Sequence, residues 1–310
     1  GNVLTRQIKA GARRRKRKIV LTEGASYKIL KSVEIVVNEN LAEPILLGNE
    51  EAIHHTIDTF ELEIPKSVEI IDPKSVSEQA RLNEFAEIFY QKRQRRGITK
   101  DAALELMQHR NYFSAMLVET GYADGMVSGE TDNYPSTIRP ALQTIGVAPT
   151  QKRVSGMYII NTKQGPYFFA DCTVNKKPDE DALYDITLQT AEMVTKLNIE
   201  PRVALVTYSN FGSSSGRTPD AMRNTVRRLH KEHPQLIVDG ELQANVALNG
   251  ELLREKFPFS KLGQQRLQNH AGTQPPPNHW PHTDGDGQAG AYCAHRQQSR
   301  RDCQYDCFCG

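Results

Sequence analysis

The chain has 310 residues, 38% of them hydrophobic and 25% charged, with a net charge of +2; this is enough for two α/β domains with substantial cores, in the balance of a water-soluble protein. No apolar run approaches the roughly 20 residues of a membrane-spanning helix and the N-terminus lacks a signal-peptide core, so a cytoplasmic location with no membrane partner is expected. The near-neutral balance gives no general pull toward nucleic acid, and the one basic run, Arg13 to Lys18, is taken as a solvated lead-in to the first strand.

From the N-terminus, KIVLTE (18–23) predicts a strand, and the apolar residues Ile29, Leu30, Val33, Ile35 and Val36 recur with helical spacing. PILL (44–47) and VEII (68–71) predict two more strands, and a long charged helix follows over about 75–95. This βαβ alternation favours a parallel sheet covered by helices. The helix closes in QKRQRRG (91–97), whose basic residues either complement its C-terminal dipole or supply an arginine, Arg93, to an anion. Thr99 caps another helix, and 111–120 continues the helical period. ADGMVSG (123–129) is then a short strand ending at Ser128 and Gly129, and YPSTIRPALQ (134–143) opens a helix with Thr137 and Arg139 in its first turns. Strand ends followed by helix starts are where open α/β sheets hold ligands. Arg139 is accordingly an anion clamp or a surface ion-pair residue.

The pattern changes near 148, where a domain boundary is expected. VSGMYII (154–160) and YFFADCTV (167–174) predict an antiparallel hairpin ending near Asp171 and Asn175, and 179–197 a helix. Next comes a β-branched strand, VALVTY (203–208), then the loop SNFGSSSGR (209–217), then a helix with Thr218 at its N-cap and Pro219 in its first turn. With glycines at 212 and 216, successive N–H groups and the hydroxyls of Ser209, Ser213, Ser214 and Ser215 can converge on an anion at a helix N-terminus. Ser/Gly loops also follow buried strands in proteins that bind nothing there. In LIVDGELQA (236–244), Asp239 and Gln243 either contact a ligand or cap the following helix. Only Cys172 lies in the first 263 residues, and one buried thiol there fits a reducing compartment.

Taken together, ADGMVSG, STIRPALQ, FADCTVN, IEPRVALVTYSNFGS and VDGELQA resemble the phosphate acetyl/butyryltransferase family, in unbroken order over about residues 4–262. The resemblance implies two α/β domains around a cleft, like the isocitrate and isopropylmalate dehydrogenases, and a homo-oligomer. Stand-alone members exchange an acetyl group between coenzyme A and phosphate: a carboxylate deprotonates the thiol, the thiolate attacks the acyl carbonyl, and arginines hold the departing phosphate. Arg93 and Arg139 fall on the family's phosphate arginines. Acyl phosphate or CoA binding is thereby expected at Arg93, Ser128, Gly129, Thr137, Arg139, Ser209, Asn210, Gly212, Ser213, Ser214, Asp239 and Gln243, with no catalytic residue assigned.

TYSNFGS (207–213) departs from the usual Ser-aromatic-Ser-Thr-x-Gly-Ser, and with DNYP (132–135) it is similar to the C-terminal domain of bacterial NADP-dependent malic enzymes. That likeness implies a regulatory module that binds acetyl-CoA or acyl phosphate, with malate oxidation, NADP and a divalent metal in upstream domains of the same polypeptide. The Gly1 start and its lead-in suit a fragment cut at such a junction. An active phosphate acetyltransferase is the alternative. The expected domains are 1–148, 149–263 and an anomalous, non-native or out-of-frame tail at 264–310, which holds one residue of the Val/Ile/Leu/Met set, Leu267, and eight Gln. The family's catalytic Ser and Asp lie in a C-terminal strand-helix segment whose loss is expected to expose a sheet edge in the first domain. A zinc site from Cys293, His295, Cys303, Cys307 and Cys309 is the tail's other reading, though tight Cys-x-x-Cys pairs are absent.

Overall fold

The computed structural model describes residues 3–162, 165–264, 290–294 and 296–297. By contact density the chain divides into two compact units, one of residues 6–148 and the other of residues from 149 onward with the first few residues.

In the unit of residues 6–148, helix α1 (Val3–Arg14) leads into strand β1 (Lys18–Leu21), followed by α2 (Tyr27–Asn38), β2 (Glu43–Leu47), α3 (Glu50–Thr59), β3 (Glu69–Ile71), α4 (Gln79–Arg93), α5 (Lys100–Met107), α6 (Arg110–Glu119), β4 (Gly125–Val127) and α7 (Tyr134–Thr144). The four strands form a parallel sheet in the order β3-β2-β1-β4. Successive strand side chains point to opposite faces, and here both faces are covered. Val20, Ile45 and Leu47 join Phe85, Phe89, Phe113 and Met116 from α4 and α6 in one core. Leu21 and Leu46 join Leu30, Val33 and Ile53 from α2 and α3 in another. Phe89 and Phe113 are fully buried, each contributing about 2 kcal/mol or more.

The other unit runs β5 (Met157–Thr162), β6 (Gly165–Ala170), α8 (Glu180–Lys196), β7 (Ile199–Glu200), β8 (Arg202–Val206), α9 (Arg217–Glu232), β9 (Ile237–Leu242), α10 (Ala244–Leu248), α11 (Gly250–Lys256), α12 (Lys261–Gln264), β10 (Gly290–Ala294) and β11 (Arg296–Gln297). Its mixed sheet has the order β5-β6-β10-β8-β9, with β8 and β9 parallel and the other pairs antiparallel. Val203 and Leu205 face α8 and α9, whereas Ala204 and Val206 pack with Val246 and Leu253 of α10 and α11.

Several expectations change. The basic run is an exposed lead-in to β1, as expected over 13–16, but it is not structureless: Arg13 and Arg14 end α1, Arg13 bonds the Glu39 carboxylate, and Arg17 pairs with Asp124 at 2.8 Å. Cys172 is exposed rather than buried. Helix α9 begins two residues early, with Gly216 rather than Thr218 at its N-cap. Gly216 has φ +149°, and a side chain there would meet the Tyr208 hydroxyl at 2.8 Å, so the chain turns into the helix at the one residue able to do so. From the stretch beyond 263, Gly290–Ala294 lies between β6 and β8. Of the residues invoked for zinc, His295, Cys303, Cys307 and Cys309, together with the side chain of Cys293, lie outside the described part of the chain.

Candidate anion-binding site

Three helix ends meet around one ammonium group. Lys92, near the C-terminus of α4, bonds the Glu119 carboxylate at the end of α6 and the Thr144 carbonyl at the end of α7. The next residue is Arg93, the last of α4. Arg139 projects from α7, and both guanidiniums are near enough to Tyr112, on α6, to favour its ionised form; burial outweighs them and raises the phenol's pKa. The Tyr112 hydroxyl donates to Gln143 Oε1 at 2.6 Å. Among the described residues neither arginine has an acidic partner or a hydrogen-bond acceptor, and Arg93 Nε is buried. Two guanidiniums without a counter-charge, near one phenol, are chemically suited to a multiply charged oxyanion.

Helix α7 owes its position to a repaired defect. Pro140 lies inside it, so the Ser136 carbonyl lacks its usual N–H partner. Asn111 Nδ2 supplies one at 3.1 Å and also donates to Asp132 Oδ2 at 3.0 Å. Asn111 Oδ1 accepts from the Ser128 hydroxyl at 2.8 Å. Asp132 is held below its ordinary pKa, first by its hydrogen bond with Arg110 and then by Asn111. At the N-cap, Asn133 accepts from the Ser136 amide at 3.0 Å.

The loops expected to cradle an anion are instead closed on the protein's own carboxylates. After β4, the amides of Gly129 and Glu130 donate to Glu23 Oε1 at 3.0 and 3.1 Å, and Glu23 Oε2 accepts from Thr22. Thr137 bonds back to the Asn133 carbonyl. After β8, Glu241 Oε1 accepts from the Ser209 hydroxyl at 2.8 Å, the Gly212 amide at 2.7 Å and Arg223 Nη1 at 2.7 Å. The remaining amides from 210 to 214 are also bonded internally. Asn210 donates to Ser213 Oγ and Ser214 to Ser209 Oγ, while Phe211 and Ser213 donate to the carbonyls of Glu241 and Asn210. The donors do converge on an anion, and that anion is Glu241. Asn210 Oδ1 accepts from the Gln243 amide at 2.7 Å, and Gln243 Nε2 donates to the Tyr208 carbonyl. Asp239, buried, accepts from the Ser260 hydroxyl at 2.8 Å and the Lys261 amide at 2.9 Å. Gln243 sits at the N-cap of α10 without a side-chain cap bond.

Of the twelve expected residues, then, Arg93 and Arg139 come together as unpaired groups. Ser128, Gly129 and Thr137 shape the loop beside α7; Ser209, Asn210, Gly212, Ser213, Ser214 and Gln243 shape the β8–α9 loop; Asp239 anchors the 260–261 turn. Tyr112, Gln143, Glu23, Glu241 and Arg223 were not foreseen. The signal for Glu241 is its position two residues after Asp239 on the same strand, β9.

The chain matches the family described as "Phosphate acetyl/butaryl transferase" over residues 3–266. It is 36% identical over 258 residues to the phosphate acetyltransferase of Clostridium acetobutylicum, covering 81% of this chain and 76% of the relative. To that of Thermoanaerobacterium thermosaccharolyticum it is 38% identical, covering 81% and 77%. A phosphotransacetylase structure from Streptococcus pyogenes superposes with a TM-score of 0.73 at 30% identity, covering 83% of this chain and 78% of that one. These matches overturn the malic enzyme reading, with its NADP and oxidoreductase chemistry in upstream domains, because they span most of stand-alone acetyltransferases. The residues that prompted it have local tasks: the Phe211 ring packs 5.0 and 4.9 Å from those of Phe257 and Phe259, and Asn210 ties the loop to Gln243. With a mixed α/β fold that includes a parallel sheet and a match across most of its length, the chain belongs to the phosphate acetyl/butaryl transferase family.

Proposed function

We propose that this protein is a phosphate acetyltransferase, exchanging an acetyl group between coenzyme A and orthophosphate. The observation that carries the reading is the pair of unpartnered guanidiniums, Arg93 and Arg139, around Tyr112. In the direction of acetyl-CoA synthesis, a carboxylate takes the thiol proton and the thiolate sulfur forms a bond to the acetyl carbon. The carbon–oxygen bond to phosphate breaks, and the departing oxygen's new charge is met by the arginines. Ground-state phosphate already carries charge, so the arginines contribute to binding as well as to rate. Acetyl-CoA enters as a substrate and no resident cofactor is assigned to this chain. Self-association, a cytoplasmic setting and a domain arrangement like that of the isocitrate and isopropylmalate dehydrogenases belong to the same reading. So does the division into domains at 1–148 and 149–263 with a non-native tail.

The test is phosphate-dependent release of coenzyme A from acetyl-CoA, with acetyl phosphate identified as the second product. Arg139→Gln removes one charged clamp and should lower kcat/KM for phosphate about 10- to 100-fold, leaving KM for acetyl-CoA within a factor of about two. A wild-type protein that releases coenzyme A no faster with phosphate than without it would overturn the proposal.

A further inference from the structure

Gln143 follows Arg139 by four residues on α7, which places the two side chains on one face, one turn apart. Its carboxamide has one accepting and one donating end. The accepting end is taken: Oε1 receives the Tyr112 hydroxyl at 2.6 Å. Among the described residues nothing accepts from Nε2. Tyr112 is itself held in place, 8% exposed, with its ring edge-on to Phe89 at 5.6 Å.

The direction of that hydrogen bond follows from electrostatics. Two cationic side chains act on the phenol oxygen, which favours its lone pairs facing them and its proton pointing away. The proton then points to a carbonyl oxygen, which fixes the flip of the carboxamide and leaves the NH2 group as a directed donor beside Arg139. A tetrahedral phosphate group has three terminal oxygens to satisfy, one more than a carboxylate, and two guanidiniums with one amide provide donors for all three.

Resting on the phosphate-site reading above, we infer that Gln143 is a third phosphate-binding donor, and that Tyr112 is its positioning residue, holding the carboxamide so that Nε2 rather than Oε1 faces the anion.

The experiment is titration calorimetry of inorganic phosphate into the full chain, for wild type, Tyr112→Phe, Gln143→Met and the double variant, with acetyl exchange followed on the same preparations. Gln143→Met should bind phosphate about tenfold more weakly, the worth of one hydrogen bond to a charged group. Tyr112→Phe should lose somewhat less. The double variant should bind no more weakly than Gln143→Met alone, because Tyr112 acts only through Gln143. KM for coenzyme A should stay near wild type throughout. Gln143→Glu keeps the length and the acceptor for Tyr112 but turns a second acceptor toward the anion, and should bind phosphate more weakly than Gln143→Met. Unchanged phosphate affinity in Gln143→Met, losses that multiply in the double variant, or tighter binding by Gln143→Glu than by Gln143→Met would each overturn the assignment. A protein that binds phosphate with this pattern of losses yet exchanges no acetyl groups removes the catalytic reading and leaves the role of the pair standing.

Discussion

Replacing Glu241 by glutamine preserves shape and removes a negative charge at a fully buried point. The carboxylate accepts three hydrogen bonds on Oε1, one from Arg223, and among the described residues Oε2 has no partner. An amide oxygen can receive the same three donors, but the bonds from Ser209 and Gly212 lose their charge assistance and the Arg223 guanidinium loses its buried counter-charge. The new NH2 group falls where no acceptor waits. Arg223 keeps only the exposed Asp220 as a counter-charge. Breaking a buried ion pair on one side costs about 3–5 kcal/mol, and with a urea slope of about 2 kcal/mol per M the midpoint should fall by about 1.5–2.5 M. Urea unfolding followed by circular dichroism reads the shift, and hydrogen exchange of the 209–214 amides localises it. Adding Arg223→Gln removes the stranded guanidinium and should restore part of the loss. A midpoint shift below about 0.3 M for Glu241→Gln would refute the idea that this carboxylate organises the loop.

Two further outcomes follow from single side chains. Asn111→Ala leaves the Ser136 carbonyl without a donor beside Pro140 and should cost about 2–3 kcal/mol, read as a lower melting temperature; adding Pro140→Ala restores the helix bond and should recover part of it, and an undiminished loss in the double variant would contradict this account. Asp171, buried, is pushed up by burial but held below its ordinary pKa by the amides of Thr173 and Val174 and by Asn175. A pKa lower in the folded than in the unfolded chain adds stability that is complete above the ordinary aspartate value of about 3.9 and is lost as pH falls through the depressed value. The stability gap between wild type and Asp171→Asn should therefore be level near neutrality and narrow below about pH 4; a gap that stays level through that range would count against the assignment.

Apolar periodicity made α2 and α8 legible, because each buries a stripe that recurs every three to four residues, while β1 and the β5–β6 hairpin were legible as apolar runs bounded by turn residues, even though β5 leaves Tyr158, Ile159 and Ile160 exposed. The expected cap at Thr99 accepts the Ala102 amide at 3.2 Å, and Asp179, expected only as the start of a helix, caps α8 by accepting the Ala182 amide at 2.8 Å. Helix α3 escaped notice because it buries a single side chain, Ile53, too little to set a period; its Asn49 cap was the available signal. The loops misled for a different reason. A sequence displays their donors in one run, while the carboxylate that accepts from the Ser209 hydroxyl and the Gly212 amide belongs to Glu241, 29 to 32 residues further on. Arg93 and Arg139 were legible through family likeness; their convergence on Tyr112 and Gln143 depends on how three helices end together, which no local pattern encodes.

Internal carboxylates separate what a loop looks like from what it touches. Because Glu241 and Arg223 hold the backbone after β8, the outward side chains there can change without the chain having to find a new path. For redesign this makes the exposed Ser215 and the partly exposed Ser214 natural places to vary chemistry. Glu241, hidden and touching no solvent, is the place to leave alone.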